Sequence, residues 1–175
     1  FSIANWFRIT ETSGDHEMVT WGSSPGSQRL TWRVHEGRLR TEHGSGNLRG
    51  NTYVNDGEWK HGELVVDEGA NLRVPATRLY VAGMKDTVSS VADVAYNLTA
   101  GEDFCIGCRA DNKTRFFPGS IDEVRIYDRV LSEDEIAQNF NVTSNEIAVE
   151  PAGKLTTTWS RVKPDTLIPA TFGSS

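Results

Sequence analysis

The chain has 175 residues, enough for one domain with a core of its own and a tail besides. A formal charge of −6 at pH 7 repels phosphate backbones and anionic membrane surfaces, which argues against nucleic acid as a partner. No apolar run reaches the roughly 20 residues that a membrane-spanning helix needs, so insertion into a membrane is not expected.

In chain order, short alternating or apolar segments are separated by glycine-rich or polar turns. Residues 1–9, 17–22, 29–37, 38–44, 59–68, 77–83, 103–110 and 120–128 read as strands, the pattern of an all-β sandwich. In "TWRVHEGRLRTEH" the alternation sets Trp32 with Leu30 and Val34 on the core side. It leaves Arg33 and His35, and Arg38 past the turn, on a basic face. These three and Tyr53 are the candidate ligand-binding residues. The segments "GSSPGSQ", "GSGNLRGN" and "RADNKTRF" read as loops able to carry variable contacts. In "DFCIGCRA" a strand would set residues three apart on opposite sides of the sheet. Cys105 and Cys108 then bridge only across a kink, and two unpaired structural cysteines are expected.

The segment "FPGSIDEVRIYDRVLSEDEIAQ" reads as a strand feeding a helix near residues 132–140. Plain alternation puts Asp122 beside Val124 and Ile126, an awkward place for a carboxylate. Burying its charge costs several kcal/mol unless it is paired, hydrogen-bonded or bound to a cation. Ser132 and Glu135 have the spacing of a capping box, and Leu131 and Ile136 stand at the two staple positions. From residue 145 the chain becomes rich in threonine, serine and proline and reads as an extended tail, with one alternating stretch, "KLTTTW", as a strand near 154–159. Asn97, Asn112 and Asn141 open Asn-x-Ser/Thr sequons, which matter only in a eukaryotic secretory pathway.

"FSIANWFRI", "NDGEWKHGELVVDE", "RLYVAG", "CIGCRA" and "FPGSIDEVRIYDRVLSEDEIAQ" together resemble the successive signature segments of laminin G-like, concanavalin A-like jelly-roll domains of secreted bacterial proteins. The resemblance implies an antiparallel jelly roll over residues 1–144, found outside the cell or at its surface. It also implies calcium as a structural ion near the sheet rim, for which Asp122, Asp111 and Asn112 are the candidate ligands. The alternative for Asp122 is a carboxylate that accepts hydrogen bonds from backbone amides or an arginine. Trp59 matches a position that usually packs, within Trp59-Lys60-His61 where the family reads Trp-His-His. The one or two strands that usually precede "FSIANWF" do not appear before Phe1. Either the chain is trimmed, or another element, such as "KLTTTW" of the same or a neighbouring chain, covers that sheet edge.

Glycoside hydrolases of the same superfamily carry a Glu-x-Asp-x-x-Glu run on one strand, and no such spacing occurs here. Nor does a Gly-x-Ser-x-Gly elbow or a His-Glu-x-x-His zinc motif. The expectation is a non-catalytic recognition or adhesion module for a glycan or an extracellular protein. The alternative is a subunit of a surface assembly whose sheet is completed by a neighbour's tail.

Overall fold

In a computed structural model, which describes residues 1–22, 28–43, 46–67, 76–91, 98 and 103–142, two antiparallel sheets pack face to face as a jelly-roll sandwich. The strands are β1 (Ser2–Arg8), β2 (Asp15–Trp21), β3 (Leu30–His35), β4 (Arg38–His43), β5 (Gly46–Tyr53), β6 (Lys60–Val66), β7 (Thr77–Val81), β8 (Met84–Lys85), β9 (Val88–Val91), β10 (Phe104–Ile106) and β11 (Ser120–Tyr127). They are followed by one helix, α1 (Glu133–Asn141). Among the described residues, one sheet runs β11-β1-β6-β7-β8 and the other β10-β2-β3-β4-β5-β9. All of them belong to one compact unit, Phe1–Val142. The expected boundary after residue 144 and the expected strand at 154–159 lie outside the described residues.

The core between the sheets is built from the inward residues of each strand, among them Ile3, Phe7, Met18, Leu30, Trp32, Val34, Leu39, Leu48, Leu64 and Leu79. Trp32 is fully buried, as its alternation predicts, and its indole N–H donates to Asn5 Oδ1 at 2.7 Å. That bond matters because a buried indole donor left without an acceptor would cost free energy. Gly62 is where β6 passes under this ring: a Cβ there would lie 3.1 Å from Phe7 and 3.2 Å from Trp32, so a side chain would force the core apart.

Helix α1 lies on the outer face of the five-stranded sheet. The capping box forms in both directions, Glu135 N–H donating to Ser132 Oγ at 3.3 Å and Ser132 N–H to Glu135 Oε2 at 2.9 Å. Leu131 and Ile136 are buried with Val65 and Tyr80, so the staple residues also anchor the helix to the sheet. Beneath the helix sit His61 and Glu63, both from β6 and both out of water. Asn139 Nδ2 donates to Glu63 Oε1 at 3.0 Å, and Trp6 stands 5.1 Å from the His61 ring.

Three expectations are corrected here. The segment "GSGNLRGN" is mostly strand β5, because Leu48 is fully buried in the core while its neighbours pair with β4 and β9. Asp122 does not share the side of Val124 and Ile126. A bulge in β11, opposite Asn5 of β1 and with Glu123 at φ 48°, breaks the alternation. Ile121 and Val124 therefore both pack on the core, Asp122 is exposed, and Ile126 is 45% exposed. Cys105 and Cys108 form a disulfide, with Cα atoms 5.6 Å apart. The kink that this requires is Gly107 at φ 76°, a left-handed conformation that glycine adopts at little cost.

Candidate functional site

The two outer faces differ. The five-stranded sheet is covered by α1, while the six-stranded sheet carries charged side chains with α1 on the far side of the sandwich. Strand register brings these side chains into transverse rows. One row runs Asp15, His35, Arg38, Tyr53 across β2, β3, β4 and β5, and the next runs Glu17, Arg33, Arg40, Arg49. Arg33, His35 and Arg38 therefore do share one face, as alternation suggested, and the pairing of β5 with β4 adds the fourth candidate, Tyr53.

Their roles differ. Arg33 is 1% exposed and lies at the centre, with Nη2 at 2.6 Å from Glu42, Nη1 at 3.2 Å from Glu17 and Nε at 3.2 Å from Asp15. Enclosed by three carboxylates, it is buried too deeply to touch a ligand, so its part is to hold the neighbours in place. His35 is likewise occupied, its Nδ1 lying 2.7 Å from Asp15 Oδ1. Arg38 has a different partner: its guanidinium carbon is 4.4 Å from the centre of the Tyr53 ring, and Nη2 donates to the Tyr53 hydroxyl at 2.5 Å. Tyr53 is 62% exposed, so most of that ring is open to water.

Around this centre the ion pairs extend outward. Arg40 meets Glu42 at 2.9 Å, Arg49 meets Glu36 at 3.0 Å, and Arg115 meets Asp15 at 2.7 Å and Glu17 at 3.6 Å. Arg29 bridges Glu42 at 3.7 Å and Asp111 at 3.1 Å, and Arg109 also binds Asp111 at 2.8 Å. Burial pushes the Glu17 carboxyl above the usual range, with Arg33 and Arg115 offsetting this only in part. Burial acts the same way on Asp15, but there Arg33, Arg115 and the His35 bond win and hold it below the usual range. Arg40 is lowered by burial and by the charge of Arg33 beside it, against the pull of Glu42.

The segment after β10 closes one end of the face. Thr20 Oγ1 donates to Cys108 O at 2.8 Å, Glu17 N–H to Arg115 O at 3.1 Å and Gly107 N–H to Met18 O at 2.9 Å. The disulfide thus secures the base of the segment that delivers Arg109, Asp111 and Arg115.

The three side chains expected to ligate calcium are not gathered into one donor set. Asp111 is committed to Arg29 and Arg109, whose charges oppose a divalent cation at that carboxylate and hold its pKa low against burial. Asn112 Oδ1 accepts from the Thr114 hydroxyl at 2.6 Å. Asp122, on β11 of the other sheet, accepts from the N–H of Glu123 at 2.8 Å. Among the described residues no group of three or more histidine, cysteine, aspartate or glutamate side chains is placed to hold a metal. These residues do not fit the ion.

Asp15, Glu17, Arg40, Glu42 and Arg49 were not among the candidates. Arg40 and Glu42 alternate with Arg38 and were within reach of the same reasoning. Arg49 sat in a segment that reads as a loop, and the carboxylates of β2 join the face only through strand pairing. Trp59, expected to pack, is 42% exposed, with Arg8 at 5.4 Å over its ring.

No curated protein is significantly similar to the chain. Its fold is similar to that of the CBM40 module of a Ruminococcus gnavus IT-sialidase, solved with α2,3-sialyllactose. The TM-score is 0.64 at 16% identity, over 81% of this chain and 82% of that one. It is similar to domain 4 of AbnA, a GH43 extracellular arabinanase from Geobacillus stearothermophilus, solved with arabinotriose. There the TM-score is 0.59 at 20% identity, over 78% of this chain and 64% of that one. Domains LG4-5 of the mouse laminin α1 chain give 0.54 at 14% identity, over 76% of this chain and 36% of that one. At these identities the likeness is one of fold. The family described as the concanavalin A-like lectin/glucanases superfamily matches residues 1–137, in keeping with the signature segments and the sandwich, and the chain belongs to it.

Proposed function

We propose that the protein is a non-catalytic carbohydrate-binding module, acting outside the cell or at its surface, and that the outer face of the six-stranded sheet receives the glycan. The observation that carries this reading is the Arg38–Tyr53 pair: a 62% exposed phenol ring, held by a cation, beside a field of fixed hydrogen-bonding groups. Sugar C–H faces stack on such rings while guanidinium and carboxylate groups bond the hydroxyls. A rigid sheet presents these groups without an ordering cost on binding.

The carboxylates of the face support a binding role over hydrolysis. A glycosidase needs two open carboxyl groups flanking the scissile bond. Glu17 is fully buried, and Asp15 and Glu42 are held by two or more cations each. The glycan ligands carried by two of the similar solved structures, sialyllactose and arabinotriose, support the same class of partner. A thermal-shift screen against an oligosaccharide panel tests the proposal, since a ligand that binds the folded state raises the melting temperature by mass action. A concentration-dependent rise with at least one glycan is expected. No rise with any glycan at millimolar concentration overturns it.

A further inference from the structure

We infer that this face selects glycans that carry an acidic group, a carboxylate or a sulfate, and that Arg38, Arg40 and Arg49 supply its countercharge. The inference rests on the glycan-binding reading and deepens it.

Charge balance is the first ground. The ion pairs described above join six guanidinium groups to five carboxylates, and Arg38 adds a seventh cation with no carboxylate partner among the described residues. Among the described residues, a chain whose net charge is −6 therefore concentrates a positive excess on one face of one sheet. Register is the second. Arg33, Arg40 and Arg49 stand directly opposite one another on three adjacent strands, an arrangement of like charges that destabilises a sheet unless anions intervene. Glu36 serves Arg49 from the turn, but Glu42 is shared by Arg29, Arg33 and Arg40, so Arg40 in the middle of the row is the least compensated of the three.

Reach is the third ground. The side chains of Arg40 and Arg49 are partly exposed, 18% and 28%, so an acid group on the ligand can meet the outer edges of their guanidinium groups. Guanidinium groups suit it because their planar fork binds carboxylate and sulfate oxygens in pairs. Arg38 links the two halves of the site: it lies against Tyr53, so a sugar stacked on that ring brings its acidic substituent to the same guanidinium.

The test uses the full chain and a panel of uronic-acid, sialic-acid, sulfated and neutral oligosaccharides, titrated by calorimetry in 50 and 500 mM sodium chloride. Acidic glycans are expected to bind, with affinity falling at least fivefold across that salt range. Arg38→Gln and Arg49→Gln, verified as folded by circular dichroism, should each weaken the acidic ligand at least tenfold. The uronic, sialic and sulfated arms tell which acid is preferred. Preference for neutral glycans, or unchanged affinity for the acidic ligand in both variants, overturns the inference and leaves the glycan-binding reading standing. Binding of no glycan at all removes both.

Discussion

Arg33 and Glu17 face each other across β2 and β3 as a buried ion pair, 3.2 Å apart, with the carboxylate fully enclosed and the arginine 1% exposed. Around this pair the outer face of the six-stranded sheet is organised. Its rows come from four consecutive strands, β2 to β5, with Arg109, Asp111 and Arg115 added from the segment after β10, and what stands open on it is the outer ring, Arg38 and Tyr53 above all.

Arg33→Ala should destabilise the domain by about 3–5 kcal/mol, because it strands Glu17 without its main countercharge in a site that water does not reach. Chemical denaturation checks this. A loss under about 1 kcal/mol would mean that the face relaxes around the missing cation and that the network does not depend on its centre.

The disulfide closes a very short loop. Replacing Cys105 and Cys108 together by serine should cost about 2 kcal/mol on chain-entropy grounds. The greater effect is expected locally: faster amide exchange in residues 107–119 and weaker ligand binding, since Arg109, Asp111 and Arg115 ride on that segment. Unchanged exchange there after reduction would contradict the assigned role.

Under α1, burial raises the Glu63 carboxyl to about 7, with Asn139 and Arg125 opposing. Burial also lowers His61 to about 4, with help from the charge of Arg125. The folded state keeps a proton on Glu63 that the unfolded chain releases from about 4.5 upward, so this group costs stability as pH rises to about 7. The folded state sheds the His61 proton that the unfolded chain holds up to about 6.5, so this group adds stability as pH rises from about 4. Over the shared window the two slopes oppose. Glu63→Gln leaves only the histidine slope, and the variant should gain about 2 kcal/mol over wild type at pH 8 relative to pH 4.5. Parallel stability curves for the two proteins would show that Glu63 ionises normally beneath the helix.

With Asp111 paired to two arginines and Asp122 on a different sheet, calcium should leave the melting temperature within about 1 °C of its value in chelator. A saturable rise that disappears in Asp122→Ala would restore the calcium site that the family resemblance implied.

Much of the fold was legible because it depends on local pattern. Alternation placed Trp32 in the core and Arg33 and His35 on one face, and the Ser132–Glu135 spacing marked the helix start and its cap. What was missed depends on pairing or on unusual backbone. Nothing in "IDEVRI" signals that Glu123 takes a positive φ, so the bulge that turns Asp122 outward is set by β1 alongside it. Strand β5 has one fully buried apolar side chain, Leu48, between glycines and polar residues, too little for a period to show. Gly107 between the two cysteines was the available hint of a disulfide, because a tight turn brings residues three apart within bridging distance and this one uses the positive φ that glycine favours. Two of the five carboxylates of the face, Asp15 and Glu17, come from β2, whose first two residues, Asp15 and His16, carry no strand signal of their own.

The central claim is that Tyr53 and its face, and no other aromatic surface, receive the glycan. The measurement that tests it most directly is the affinity of Tyr53→Ala and Trp59→Ala for the best glycan from the screen, side by side with wild type. Both rings are exposed, 62% and 42%, so neither change should cost the fold more than about 1 kcal/mol. Tyr53→Ala should bind at least tenfold more weakly, with Trp59→Ala within twofold of wild type. Full affinity in Tyr53→Ala, or loss only in Trp59→Ala, would contradict the account and move the site off the six-stranded sheet.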